Sequence, residues 1–270
     1  MAEKISVVCA ANTEYLVHAT TMLASLFATN VHSFDVYFLY NNEEVGEESL
    51  ALLDVFVRRN GHRCIVKPID LSALSSLLVN SYISVEAYFR LLLPEMLPTP
   101  DKVLYLDADI IIQGDISKLW KTQLGDGNYL GAVRDPNINP AVLTKLGLGE
   151  NDPYFNSGVL LLNLKKMRED HVQEKLLTFA RCSQDKITCH DQCVLNYIVK
   201  GHWKALSPKW NMQTGFFLKN VYCSLSEEVK KEVLFDPVIV HFNYGLGRPW
   251  EIWCAHPYRH LYRKYKNRQL

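Results

Sequence analysis

The stretch VLYLDADIII, at residues 103–112, sets two aspartates in otherwise apolar surroundings. The β-branched and aromatic residues on both sides predict a buried strand. The two-residue repeat of a strand would put Asp107 and Asp109 on one face and Ala108 on the other. Two carboxylates there would repel each other and lose hydration. A hard divalent cation with phosphate oxygens opposite it removes this difficulty, so we predict a metal–phosphate site.

The alternative interpretation is a strand that ends at solvent and leaves both aspartates as ordinary turn residues. Gly114 and Asp115, a short way downstream, fit a turn of that kind. The aspartate pair fits it poorly, because residues 110–112 (III) continue the apolar run beyond the charges. We therefore favour the metal site.

The segments before the aspartates alternate between strand and helix patterns. Strands are predicted at residues 5–10, 36–40 and 64–69, and helices at about 15–28 and at 47–59. This order predicts an α/β fold whose mostly parallel sheet is connected by crossover helices. Ligands of such sheets bind at the carboxyl ends of the strands, where the first loop and the aspartate pair both fall.

Two predicted helices in the rest of the chain carry polar residues that could do chemistry. The first, residues 84–93, holds Arg90 among apolar neighbours. This arginine either extends to the surface or is held toward an anion, and the sequence favours neither. The second, residues 191–199, has Asp191 and Gln192 in its first turn, where an aspartate usually complements the helix dipole.

Three more predicted strands adjoin polar loops. They cover residues 129–133, 159–164 and 238–241. Asp135 follows the first strand, and Asn156, Ser157 and Gly158 stand at the mouth of the second, which indicates either close approach of a ligand or a turn. A loop with glycines and an arginine, residues 242–250, follows the third and could pair with phosphate or serve only as a turn.

Composition narrows the class of protein. A chain of 270 residues can form one large α/β domain or two small ones. Lys+Arg and Asp+Glu are equal at 29 each, so no bulk field attracts nucleic acid, and we predict no nucleic-acid partner. Seven scattered cysteines predict reduced thiols and a cytoplasmic location. No signal peptide and no run of ~18 apolar residues is recognisable.

The one asymmetry of charge is a basic segment at residues 259–268. Its arginines and lysines alternate with Leu and Tyr. The segment could lie on an anionic membrane face, as a peripheral contact. A basic final turn of a C-terminal helix explains it equally well.

Six stretches in a fixed order resemble the retaining glycosyltransferases of family 8, the group that includes bacterial lipopolysaccharide galactosyl- and glucosyltransferases and glycogenin. The stretches are AANTEY (10–15), ISVEAYFRLLL (83–93), DKVLYLDADIII (101–112), YFNSGVLLLNL (154–164), HDQCVLN (190–196), and HF with RPW (241–242 and 248–250). The resemblance covers nearly the whole chain. It implies one GT-A domain with a Rossmann-like sheet: residues 1–115 bind the nucleotide sugar, 116–253 bind the acceptor and catalyse, and 254–270 form a basic helix.

The resemblance also implies roles for individual residues. Asp107, Asp109 and His241 would ligate Mn²⁺, with Mg²⁺ as the alternative; imidazole beside two carboxylates suits Mn²⁺ better. The residues implied to bind the substrate are Ala10, Ala11, Asn12, Tyr15, Arg90, Asp107, Ala108, Ser157, Gly158, Gly245 and Arg248. The residues implied to surround the reacting hexose are Asp135, Asn156, Ser157, Asp191 and Gln192.

The predicted function is therefore transfer of a hexose from UDP-glucose or UDP-galactose to a saccharide or glycolipid acceptor, with an α-linkage. Gln192 is a poor nucleophile, so we favour attack from the leaving-group face, with a UDP oxygen taking the acceptor's proton. One alternative is a UDP-sugar-binding protein that has lost turnover. Another is a Mg²⁺ phosphohydrolase, but such enzymes place the aspartate pair after their first strand.

Overall fold

The structure is a computed structural model that describes residues 4–74, 77, 85–243 and 245–266. Its ten strands within these ranges form two sheets. The strands are β1 (Ile5–Ala10), β2 (Phe34–Tyr40), β3 (Arg63–Pro68), β4 (Lys102–Leu106), β5 (Ile110–Ile112), β6 (Leu130–Arg134), β7 (Phe155–Asn163), β8 (Trp203–Ala205), β9 (Met212–Gln213) and β10 (Ile239–His241).

The helices follow the strands in the order expected of an α/β fold. The α-helices are α1 (Leu16–Thr29), α2 (Glu47–Arg59), α3 (Leu93–Met96), α4 (Ser117–Trp120), α5 (Pro140–Leu146), α6 (Leu164–Glu169), α7 (Val172–Cys182), α8 (His190–Ile198), α9 (Lys219–Ser224), α10 (Glu227–Phe235) and α11 (Arg259–Lys266). The 3₁₀ helices are Leu71–Leu74, Val85–Leu92, Gln184–Lys186, Pro208–Trp210 and Thr214–Phe217.

The large sheet has the strand order β3-β2-β1-β4-β7-β6-β8. The first four strands are parallel, β7 runs antiparallel to both of its neighbours, and β8 is parallel to β6. The prediction of a mostly parallel sheet is confirmed. β1 is buried along its whole length, because helices cover both faces of the sheet. Val7 and Cys9 point into one apolar core with α1 and α2, whereas Val8 and Ala10 point into a second core with α7 and α8.

The apolar stretch that holds the aspartates is two strands, so the prediction of one continuous strand is wrong. β4 pairs with β7 in the large sheet, and β5 pairs with β10 in a small sheet of order β5-β10-β9. Asp107, Ala108 and Asp109 form the connection between the two sheets. The backbone is anchored on both sides of it, because Asp107 N donates to Gly158 O at 2.9 Å and Phe242 N donates to Asp109 O at 3.0 Å.

Two further elements differ from their predicted form. The predicted helix at 84–93 is a 3₁₀ helix over Val85–Leu92 that continues into α3, while residue 84 lies outside the described ranges. Pro94 has no amide hydrogen to donate into an α-helix, which favours the change of helix type there. Asn156, Ser157 and Gly158 lie inside β7 rather than at its mouth, because pairing with β4 and β6 extends β7 back to Phe155.

The C-terminal helix α11 is shorter than predicted, and residues 267–270 lie outside the described part of the chain. Its Leu261, Tyr262 and Tyr265 are buried, and the helix packs against α1. These apolar side chains therefore face the protein and not a membrane surface. Among the helices of the described residues, none has the length and apolar character required to span a bilayer.

Candidate active site

Three predicted metal ligands meet where the two sheets join. Asp107 and Asp109 come from the connection between β4 and β5, and His241 is the last residue of β10. Pairing of His241 with Ile110 brings the imidazole beside the aspartates. Its Nε2 lies 3.2 Å from Asp109 Oδ1 and 3.9 Å from Asp107 Oδ2. One ligand atom of each residue lies within 4.8 Å of the others, which is the spacing of a candidate metal site.

The imidazole of His241 is oriented by a residue that the sequence analysis did not identify. Its Nδ1 lies 3.0 Å from Oδ1 of Asn211, which is fully buried. Asn211 Nδ2 donates in turn to Asn156 Oδ1 at 2.9 Å. An Nδ1–H donated to Asn211 leaves the lone pair of Nε2 facing the aspartates, as a metal ligand requires. No local pattern around Asn211 signals this role, because its partners are distant in the chain.

Gly158 borders the metal ligands directly. A Cβ at this position would lie 2.3 Å from His241 Cε1 and 2.7 Å from Asp107 Oδ2. Both distances are too short for non-bonded contact. A side chain at this position would therefore displace the candidate metal ligands, and the implied contact of Gly158 with the substrate stays a prediction.

The ionisation of Asp109 also fits a cation site. Burial disfavours its charged form, but Arg248 and His241 beside it lower its pKa below the ordinary value. Arg248 forms an ion pair with Asp109 and donates from Nη1 to Phe242 O at 3.0 Å. The backbone N of Arg248 donates to the carboxylate of Glu251 at 2.7 Å, a contact that the sequence analysis missed. The loop thus holds a cation beside the metal carboxylates.

Arg90 is buried and does not extend to the surface, so the structure decides between its two interpretations. Its Nη2 donates to Asp107 Oδ1 at 2.8 Å, and its Nε lies 3.1 Å from Asp191 Oδ2. Nη1 donates to Ser157 O at 2.6 Å, and the guanidinium lies over the ring of Tyr105. One planar group therefore connects a metal carboxylate with the carboxylate implied to bind the hexose.

Asp191 stands at the start of α8 in a buried polar environment. Ser157 Oγ donates to its Oδ2 at 2.8 Å. Burial raises the pKa of Asp191, and the neighbouring Arg90 opposes that rise. The preceding residue, His190, has a left-handed φ of 45°, and its Nδ1 lies 3.2 Å from the hydroxyl of Tyr88. The sequence analysis assigned no role beside Asp191 to either His190 or Tyr88.

Gln192 has a fixed orientation because both ends of its amide are engaged. Its Oε1 accepts from Asn156 Nδ2 at 3.0 Å and from Ser157 N at 3.1 Å. Its Nε2 donates to Asp135 Oδ2 at 3.1 Å. Burial raises the pKa of Asp135, and the hydrogen bond that Gln192 donates to it opposes the rise. The structure thus brings together the five residues implied to surround the hexose.

Ala10, Ala11, Asn12 and Tyr15, which the resemblance aligns with the uridine-binding stretch of the family, lie at the carboxyl end of β1, beside β4. Ala10 and Ala11 are buried, and Asn12 Oδ1 accepts from Tyr15 N at 3.0 Å. The Asn12 side chain therefore helps to shape its own loop. Burial raises the pKa of the Tyr15 phenol and Arg248 lowers it. The loop after β1, residues 11–15, and the loop that carries Arg248, residues 242–250, therefore share one electrostatic environment.

The remaining two implied substrate residues lie in turns. Ala108 is buried between the metal aspartates. Gly245 has a φ of 115°, a left-handed value that favours glycine, and a Cβ there would lie 3.8 Å from Thr214 Cγ2. Residue 244, within the same loop, lies outside the described part of the chain.

The large sheet, the Asp-x-Asp turn that follows β4 and the histidine of the small sheet beside that turn match the glycosyltransferases of the GT-A fold. The chain belongs to glycosyl transferase family 8, whose pattern matches residues 6–254. It is 27% identical to General stress protein A of Bacillus subtilis (strain 168), over 97% of this chain and 93% of that protein. It is 28% identical to the lipopolysaccharide 1,2-glucosyltransferase of Escherichia coli (strain K12), over 94% of this chain and 75% of that protein.

The fold is similar to that of the galactosyltransferase LgtC, solved in complex with donor and acceptor sugar analogues. The TM-score is 0.86 at 24% identity, and the alignment covers 98% of this chain and 96% of LgtC. The prediction of a GT-A fold is confirmed.

Proposed function

We propose that this chain is a metal-dependent, retaining hexosyltransferase. It moves glucose or galactose from a UDP-sugar to a saccharide or glycolipid acceptor and forms an α-linkage. The observation that carries the proposal is the connection through Arg90 of a metal carboxylate, Asp107, with a buried carboxylate, Asp191, beside Gln192. Such an arrangement suits a substrate that has a diphosphate at one end and a sugar at the other.

Mn²⁺ fits the three ligands better than Mg²⁺ does, because one of them is an imidazole nitrogen. When bound, the ion would supply positive charge at the diphosphate leaving group. Asp107, Asp109 and His241 would hold it, and Asn211 keeps the imidazole in the orientation that ligation needs. Arg248 lies on the same side and would stabilise the charge that develops on UDP.

The other residues divide between the two ends of the donor. Ala10, Ala11, Asn12 and Tyr15 would contact the uridine, with Gly245 allowing close approach of the loop that carries Arg248. Asp191, with Arg90 and Ser157, would bind the hexose hydroxyls. In terms of the chain, residues 1–115 would hold the nucleotide sugar and 116–253 the acceptor.

Gln192 supports attack from the leaving-group face. A carboxamide is a weak nucleophile, and both ends of this one are already hydrogen-bonded to Asn156 and Asp135. Its oxygen would lie on the β face of the anomeric carbon and favour the positive charge that develops there. The acceptor's proton would pass to an oxygen of the departing UDP.

The relatives support a role in the assembly of surface glycans, since one of them is named as a lipopolysaccharide glucosyltransferase. Free thiols at all seven cysteines are in keeping with a cytoplasmic location. We add no membrane partner to the proposal, because the apolar residues of α11 are buried.

The test is release of UDP from a panel of UDP-sugars, with Mn²⁺, with Mg²⁺ and with EDTA. We expect release from one hexose donor that disappears in EDTA and in Asp109→Ala. Binding of UDP-sugars without turnover, in the presence of candidate acceptors, would favour a binding protein instead. Hydrolysis of a phosphomonoester would favour the phosphohydrolase.

A further inference from the structure

An aromatic cluster of Tyr15, His18, Trp250 and Tyr262 adjoins the loop that carries Arg248. Trp250, two residues after Arg248, stacks on the imidazole of His18 with ring centroids 3.6 Å apart and an interplanar angle of 13°. Tyr15 meets Trp250 edge-on at 5.7 Å. The cluster therefore connects the loop after β1, helix α1 and the loop that carries Arg248.

The C-terminal helix α11 contributes the fourth member of the cluster. The hydroxyl of Tyr262 lies 2.5 Å from Nδ1 of His18, and both side chains are buried. Burial, together with the charges of Lys266 and Arg248 and against that of Asp109, lowers the pKa of His18 to about 4. The imidazole of His18 is therefore neutral near pH 7, and the hydrogen bond with the Tyr262 hydroxyl fixes the orientation of the ring.

The cluster continues to the metal ligands through Arg248. The guanidinium of Arg248 lies 5.9 Å from the ring centroid of Trp250 and pairs with Asp109. A flat imidazole locked by one hydrogen bond restricts the indole that stacks on it, and the indole restricts the arginine beside it. The described contacts thus run without a gap from α11 to Asp109.

We propose that Tyr262 is a positioning residue, which acts through His18 on Trp250 and so fixes Arg248 for the donor diphosphate. The inference rests on the proposed function, in which Arg248 contacts that diphosphate. A loop held in its binding conformation before the donor arrives loses less entropy on binding. In this proposal, the buried side of the basic C-terminal helix α11 contributes Tyr262 to the positioning of an active-site residue.

The first measurement needs no substrate. Hydrogen exchange of the amides of Arg248 and Glu251, which bond within the loop, is followed in the free protein. We expect Tyr262→Phe, which removes only the hydroxyl, to speed their exchange about tenfold. Tyr258→Phe is the matched control, since that tyrosine donates instead to Leu234 O at 2.7 Å. Unchanged exchange in Tyr262→Phe, or an equal increase in the control, would overturn the proposal.

A second variant covers the case in which Tyr262→Phe folds poorly. His18→Phe keeps a flat ring against Trp250 but has no nitrogen for the hydroxyl, so this variant alone should also speed the exchange of the Arg248 and Glu251 amides. Unchanged exchange in His18→Phe would overturn the proposal. If Tyr262 acts through His18, the increase in the double variant should be smaller than the product of the two single increases, because both variants remove the hydrogen bond between Tyr262 and His18. Increases that multiply in the double variant would show that the two residues act separately and would contradict the proposal.

Steady-state kinetics provide the readout that a merely structural role would not move. We expect Tyr262→Phe to raise the KM for the UDP-sugar about tenfold and to leave the KM for the acceptor unchanged. An equal rise in both would overturn the inference. If the wild-type protein turns over no UDP-sugar, the proposed function fails, and the exchange of the loop amides still decides whether Tyr262 positions Arg248.

Discussion

Arg90 and Asp107 are joined by a hydrogen bond of 2.8 Å, and the Nε of the same guanidinium lies 3.1 Å from Asp191. A guanidinium is planar and rigid, so the two carboxylates are held at a fixed separation. One carboxylate belongs to the metal ligands and the other to the start of α8. Arg90 therefore sets the distance between the two halves of the candidate site.

Replacement of Arg90 should reduce stability strongly. Arg90→Met leaves the buried carboxylate of Asp191 and the partly buried carboxylate of Asp107 without their cation, so we expect the free energy of unfolding to fall by about 3–5 kcal/mol. Arg90→Lys should lose less, because it keeps the charge but not the fork of donors. Denaturant unfolding measures both. Arg58→Met, at an exposed pair with Asp54, is the control and should change little; an equal loss there would refute this account.

Asp109 should be required for the effect of the metal. Asp109→Asn removes one charged ligand and the partner of Arg248, so we expect Mn²⁺-stimulated UDP release to fall by about 100-fold or more. Far-UV circular dichroism should be unchanged. The exposed Asp126 provides a matched control as Asp126→Asn. Full Mn²⁺ stimulation in Asp109→Asn would mean that the ion binds elsewhere.

A single methyl group at Gly158 should displace the metal ligands. Gly158→Ala would press a Cβ against His241 and Asp107, and β7 is too well paired to move away. We expect Mn²⁺ affinity, measured by calorimetry, to fall at least about tenfold. Gly127→Ala, where a Cβ meets nothing within 4 Å, should bind Mn²⁺ as the wild type does. Equal affinities in the two variants would count against the assigned packing.

Asp135 should make the stability of the protein depend on pH. Its pKa is raised above the ordinary 3.8 in the folded state, chiefly by burial. The folded protein therefore keeps this proton where the unfolded chain has lost it, and the free energy of unfolding falls as pH rises through that window. Asp135→Asn removes the effect. In urea unfolding from about pH 4 to about pH 7, the free energy of unfolding of the variant should increase relative to that of the wild type as pH rises. A constant difference between the two proteins would contradict the burial argument.

Much of this arrangement could be predicted from local sequence patterns. The apolar periodicities predicted the order of strands and helices. The two carboxylates of Asp107 and Asp109 within an apolar run indicated the candidate metal site. The same periodicity predicted one strand where there are two, because it records burial and not the identity of the pairing strand. β4 and β5 are equally apolar, but their partners β7 and β10 lie far along the chain.

Orientation was harder to predict than identity. Asn211 and Tyr262 each form a hydrogen bond with a residue on another element, and Glu251 accepts from the backbone N of Arg248 three residues before it. Their residue types are ordinary for a buried amide, a loop acid and a helix aromatic. Arg90 remained ambiguous for the same reason, since nothing near it in the sequence reveals that its partners are Asp107 and Asp191.

The turn at residues 107–109 is where the chain passes from one sheet to the other, and His241 approaches it from the small sheet alone. An ion that needs all three ligands can bind only while the two sheets are docked. Its binding free energy is then added to the docking equilibrium and grows with the logarithm of the ion concentration. If such an ion binds as proposed, its supply would raise the resistance of the protein to unfolding together with its activity, and metal starvation would lower both at once.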